Sequence, residues 1–172
     1  MIKKKISIFC GGRGSASIIK YFVNQKNFDL TLLINAYDDG KSTGVLRKNV
    51  EGLLGPSDFR KNFSYLLDIF SKEQRLLKKI IEYRIKKKIY SNEFLGELDR
   101  IKNKKKIISN FLPSEIEYLE KKLKEKIINY AIVAINNLKT KNLNLLDFSF
   151  GNLIFTGIFI GENKNFNSSI KN

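Results

Sequence analysis

The apolar residues change their spacing several times along the chain, and each change marks an element. Lys5 to Cys10 is a short β-branched and aromatic run that ends at Gly11-Gly12, the pattern of a buried strand entering a tight turn. Ile18, Ile19, Phe22 and Val23 then recur at helical spacing, so a helix capped by Ser15 is expected to run through about Asn24. Leu30 to Ala36 is a second strand-like run. Strand, glycine turn, helix and strand make a βαβ opening, whose crossover implies parallel strands in a right-handed connection. The fold class read from this pattern is α/β.

Tyr37 to Ser57 shows no period and reads as loop. Ser57 or Asp58 caps the next helix, with Phe59, Phe63, Leu66, Leu67 and Phe70 as its apolar face. Ser71 to Gln74 forms a capping-box pattern that opens another helix with Leu76, Leu77, Ile80, Ile81 and Ile85 inward. Asn92 to Ile101 makes a shorter one. A second capping box, Ser114 to Glu117 after Pro113, starts a long helix whose face runs Ile116, Leu119, Leu123, Ile127, Ala131, Ala134 and Leu138. Phe148 to Gly161 is a polar Gly-Asn step feeding an apolar helix. The expected organisation is one domain over residues 1–172, with a Lys-rich helical insertion at about 71–140 and a polar tail at 162–172. Two strands are few for a sheet, which typically has about five or six. Either further strands lie in segments read as loops, or the chain is part of a longer protein.

Length and composition bound the rest. At 172 residues the chain can bury an ordinary core. A single cysteine makes no intramolecular disulfide and suits a reducing compartment. Ile6 to Cys10 is too short for a signal-peptide core, and no run approaches the roughly 20 apolar residues of a membrane span. A cytoplasmic protein without membrane contact is expected. The net charge of +15 invites nucleic acid. However, 26 of the 32 basic residues are Lys in a chain also rich in Ile and Asn, which favours a solvated surface instead. Arginine is more informative, because its planar fork matches phosphate and carboxylate. Arg13, Arg47 and Arg60 all fall in the glycine-rich first third.

Residues 38–44, DDGKSTG, look like the end of a P-loop, but Asn35 stands where that motif needs glycine. Asp38 and Asp39 instead follow the second strand at its carboxyl end, where open α/β sheets bind ligands. Adjacent carboxylates suit Mg²⁺, which shares oxygen ligands with substrate phosphates, and Asp58 could complete the set. The plain alternative is a turn at Asp38-Asp39 and a helix cap at Asp58. Gly11, Gly12, Gly14 and Ser15 put bare backbone at a helix N-terminus, a setting that favours phosphate. As a dinucleotide fingerprint this turn is partial, since Ser17 replaces a small Gly or Ala and Asn35 the expected acid. The chain has no histidine, and Cys10 ends a buried strand with no histidine to activate it. What remains is group transfer by positioned phosphates, carboxylates and a metal.

Three motifs in order carry a family resemblance: Gly11 to Ser15, Asn35 to Arg47, and Gly55 to Asn62. With weaker echoes at Tyr83-Arg84 and Ser149 to Leu153, they resemble the 2-phospho-L-lactate transferase (CofD-like) superfamily, nearer its gluconeogenesis-factor (YvcK-like) branch. The resemblance implies a Rossmann-like parallel sheet, incomplete in this chain if it is a truncated member. In the transferases it implies Mg²⁺-dependent transfer of a phospholactyl-type group from a guanosine diphosphate donor to a deazaflavin. In the other branch it implies nucleotide-sugar binding, and a homodimer is left open. Carried over, Gly11, Gly12, Gly14 and Ser15 would hold phosphate, and Asp39 and Asp58 would face metal or the transferred group. Asp38, Ser42, Thr43, Arg47, Arg60 and Asn152 would line the nucleotide site. Lys41 is the residue of its motif expected to matter least.

Overall fold

The two β-branched runs form parallel strands, β1 (Lys4–Cys10) and β2 (Phe28–Ile34), registered from Lys4 opposite Phe28 to Cys10 opposite Ile34. Helix α1 (Ala16–Val23) connects them and packs on β2, as the βαβ reading requires. The computed structural model describes residues 3–68, 70–103, 109–140 and 142–171; residues 104–108 of the expected insertion and Asn172 of the expected tail lie outside these. Among the described residues the sheet has these two strands. One of its faces is bare, with Phe9 84 % exposed beside the half-exposed Leu33.

The main hydrophobic core lies elsewhere. Every buried residue of its cluster falls between Leu46 and Phe159. It is built from α4 (Lys72–Glu82), α5 (Ser91–Lys102), α6 (Lys121–Asn136) and α7 (Phe150–Gly161), joined by α2 (Lys41–Asn49), while α3 (Pro56–Leu66) packs against α4 and α7 outside that cluster. Helices α6 and α7 pack most closely, because Gly157 lets the Tyr130 carbonyl touch the α7 backbone. No helix among the described residues is long and apolar enough to cross a membrane.

Several expectations are corrected. Tyr37 to Ser57 is not all loop, since it contains α2, which has only Val45 and Leu46 as an apolar signal; burial of Leu46 and Val50 in the core forms it despite Gly44 in mid-helix. The long helix after Pro113 is broken. Ser114–Tyr118 is a 3₁₀ turn, and extended Leu119 and Glu120 separate it from α6. Tertiary burial of Ile116 and Leu119, with Glu115 paired to Lys79 at 3.2 Å, outweighs helix continuity there. The tail holds helix α8 (Phe166–Lys171), whose Phe166 ring meets Phe59 and Phe155. Ile85 is buried as expected, but beyond the end of α4.

Helix α3 buries chiefly a different face from the predicted one, of which Phe59 still packs against Phe155 and Phe166. Gly55 is its N-cap and Pro56 its first residue, a position where the missing N–H costs nothing. Ser57, Asp58, Arg60, Asn62 and Ser64 are buried, whereas Phe63, Leu66 and Phe70 are exposed. A polar face turned inward needs partners for every buried donor and charge. Those partners form the candidate site.

Candidate functional site

Three turns meet around α3. The first is Gly11 to Ser15, which leaves β1 and enters α1. Asn62 donates from Nδ2 to the Gly11 carbonyl at 3.0 Å and to the Asp58 carbonyl at 2.8 Å, so α3 grips this turn. Above Gly12 lies the Lys61 ammonium, 3.1 Å from where a Cβ would stand, and it pairs with Asp58 at 3.1 Å. Gly11 and Gly14 face open space. The expected Ser15 cap does not form: its residue is helical rather than extended, and its buried Oγ has no partner.

The second turn is Asn35 to Gly40. Asp38 Oδ1 accepts from the Gly40 amide at 3.2 Å, closing a local turn. Arg47 Nη1 lies 3.4 Å from the Asp38 carbonyl and 3.5 Å from Asp39 Oδ1, with its guanidinium over the Tyr37 ring. The Asp39 side chain is 66 % exposed. Gly44 is required in the helix that follows, because a Cβ there would lie 2.6 Å from the Asp39 carbonyl. The third turn is Gly55, whose amide donates to the Ala36 carbonyl at 2.7 Å; a Cβ on it would meet the Asp38 carbonyl at 2.8 Å. The second and third turns are thus in backbone contact, and α3 carries the first.

Beneath them is a buried polar knot. Thr43 Oγ1 and Ser57 Oγ share a hydrogen bond at 2.6 Å. Asn152, fully buried on the first turn of α7, donates from Nδ2 toward Ser57, Ser42 and Thr43 at 3.0, 3.3 and 3.4 Å. Arg60 Nε donates to Asn152 Oδ1 at 2.9 Å, and Nη1 to the Ile81 carbonyl at 3.3 Å. Desolvation, then the nearby Arg84 charge, lowers the Arg60 pKa. Ser42, Thr43, Arg60 and Asn152 were expected to line a nucleotide site. The structure brings all four together as a buried network under the turns.

Asp39 and Asp58 are paired with different cations, Arg47 and Lys61. Among the described residues, no group of three or more Asp, Glu, Cys or His side chains gathers around one point. The Asp39 side chain is exposed, whereas that of Asp58 is 7 % exposed beneath its pair with Lys61. Lys61, Asn62 and Ser57 are site residues that sequence reasoning missed. The signal for Lys61 was its i, i+3 spacing from Asp58 on one helix.

Lys41, expected to matter least, donates to Asp147 Oδ2 at 2.8 Å, while Arg84 donates to Asp147 Oδ1 at 3.3 Å. The hydrogen bond from Lys41 is the largest effect and holds the Asp147 carboxyl below its usual range against desolvation, with the Arg84 charge adding a smaller lowering. A concavity of about 560 Å³ opens at the carboxyl ends of both strands, lined by Phe9 to Gly11 and Leu32 to Asn35. Open α/β sheets place ligands there.

Comparison with known proteins gives a consistent picture. The family model described as 2-phospho-L-lactate transferase CofD matches residues 6–170. Two curated relatives share the name gluconeogenesis factor. The one from Streptococcus pneumoniae is 34 % identical over 84 residues, covering 49 % of this chain and 24 % of that protein. The one from Thermotoga maritima is 31 % identical over 94 residues, covering 55 % and 28 %. A solved UPF0052-family protein from Bacillus halodurans superposes with a TM-score of 0.57 at 18 % identity, over 99 % of this chain and 35 % of that one. The chain therefore spans about a quarter of the length of the curated relatives it matches.

Proposed function

We propose, from the premise that this chain belongs to the 2-phospho-L-lactate transferase CofD family, that it binds the phosphates of a nucleotide diphosphate and serves their transfer chemistry. One observation carries the reading. The turns Gly11 to Ser15, Asp38 to Gly40 and Gly55 to Ser57 gather around α3, each at the N-terminus of a helix. Free amides and the positive ends of three helix dipoles favour an anion at such a place.

The residues then take distinct roles. Lys61 is the cation that a phosphate in the glycine turn meets, and Asp58 holds it in place until then. Arg47 stands ready beside Asp39 for a second phosphate. Donor atoms of this kind suit Mg²⁺, which takes one or two carboxylates and completes its shell with water and phosphate oxygens. Asp39 would hold it, with Asp58 joining once Lys61 turns to the ligand. Bound there, Mg²⁺ would neutralise charge on the phosphate oxygens. In transfer, an acceptor hydroxyl attacks the phosphorus of the moving group, its proton passes to Asp39 or water, and the nucleoside phosphate leaves. With no histidine in the chain, a carboxylate is the available base.

A second reading has its own support. Both curated relatives described above share the name gluconeogenesis factor, and the resemblance of that branch implies a nucleotide-sugar-binding regulator without turnover. Thermal shift separates the two. A melting point raised by GDP only with Mg²⁺, and lost in Asp39→Asn, supports the transferase. Stabilisation by a UDP-sugar without Mg²⁺ supports the regulator, and no response to any nucleotide removes both.

A further inference from the structure

We infer that Arg60 and Asn152 act as a polarity-setting pair, which keeps hydroxyl protons at the first turns of α2 and α3 unspent for the phosphate oxygens of a ligand. This rests on the reading that a nucleotide phosphate binds where those turns meet.

A guanidinium has only donors. Its bond from Nε at 2.9 Å therefore settles which end of the Asn152 amide is oxygen. The opposite end is Nδ2, and it faces the hydroxyls of Ser57, Ser42 and Thr43. An amide nitrogen only donates, and it has two hydrogens to share among the three oxygens, so no hydroxyl gives its proton to it and each retains its own. One of these protons is used between Thr43 and Ser57. The other two meet no acceptor among the described residues, although all three side chains are buried at 6 % exposure or less.

A buried donor left unpaired costs about 1–3 kcal/mol. Two such donors beside two helix N-termini call for an acceptor-rich, negatively charged group, and phosphate oxygens supply one through charge-assisted bonds. Asn152 is then a positioning residue. It acts through Ser42, Thr43 and Ser57 by dictating which way their protons point.

Asn152→Asp tests this without dismantling the network. A carboxylate still receives Arg60, but it accepts from the hydroxyls and so turns their protons inward. The probes are GDP and inorganic pyrophosphate, titrated against the wild type, Asn152→Asp and Asn152→Ala, with unliganded melting recorded for each. At pH 7 Asn152→Asp should melt near the wild type and above Asn152→Ala, and bind both probes about 10-fold or more weaker, the effect of one or two charge-assisted bonds. Binding by Asn152→Asp within twofold of the wild type overturns the inference. So does an Asn152→Asp that melts no higher than Asn152→Ala, whatever the ligand does. A wild type that binds neither probe instead removes the nucleotide reading itself.

Discussion

Lys41 and Asp147, 106 residues apart, meet at 2.8 Å, and both have left-handed backbone, with φ of 34° and 63°. The pair joins the start of α2 to the loop before α7, and Arg84 shares the same carboxylate. The salt bridge is a clamp between the glycine-rich third and the helical core.

The clamp makes stability pH-dependent. Asp147 has a folded pKa below its ordinary value, so its contribution is present above the unfolded pKa of about 3.9 and is lost as pH falls through the folded one. All three side chains are at least 40 % exposed, which limits the effect. Asp147→Asn should lower the melting temperature by about 1–3 °C at pH 7. That difference should shrink steadily below about pH 4, as melting curves from pH 7 to pH 2.5 would reveal.

Two glycines in helices should respond in opposite directions to alanine. A Cβ at Gly157 collides with the Tyr130 backbone, which cannot swing aside. Gly157→Ala should cost about 1–3 kcal/mol or more by urea unfolding. Gly96, within α5, has open space around it, and Gly96→Ala should stabilise by about 0.5–1 kcal/mol through lost unfolded-state entropy.

Gly12→Ala separates the ligand site from the fold. Its Cβ would meet the Lys61 ammonium at 3.1 Å, the far end of a flexible chain that can give way. Stability should change by less than about 1 kcal/mol, whereas nucleotide affinity should fall about 10-fold as the turn fills and Lys61 is displaced. Equal affinity in calorimetry for both proteins would remove Gly12 and Lys61 from the site.

Arg60 cannot be replaced by lysine. Its fork serves Asn152 and the Ile81 carbonyl from a buried position, and a single ammonium cannot reach both with the same geometry. Arg60→Lys should lose about 2–4 kcal/mol of stability, measured by denaturant titration, because a buried cation is left short of partners.

The sequence by itself determined the elements whose signal is local. β1, α1 and β2 follow from runs and periods within a few residues, and α4 opens at Ser71, whose Oγ accepts from the Gln74 amide. The glycine turn and the acidic turn were legible as candidate ligand loops for the same reason, as were Asp39 and Arg47 beside each other on one stretch of chain. Tertiary structure decided the rest. Helix α2 has almost no periodic signal and forms because Leu46 finds the core. Helix α3 looked amphipathic in one sense and is buried chiefly in the other, because Arg60 meets Asn152 from 92 residues away. Local patterns report where apolar side chains can be segregated from water. Whether a polar face can be buried instead depends on partners that only the folded chain brings within hydrogen-bonding distance.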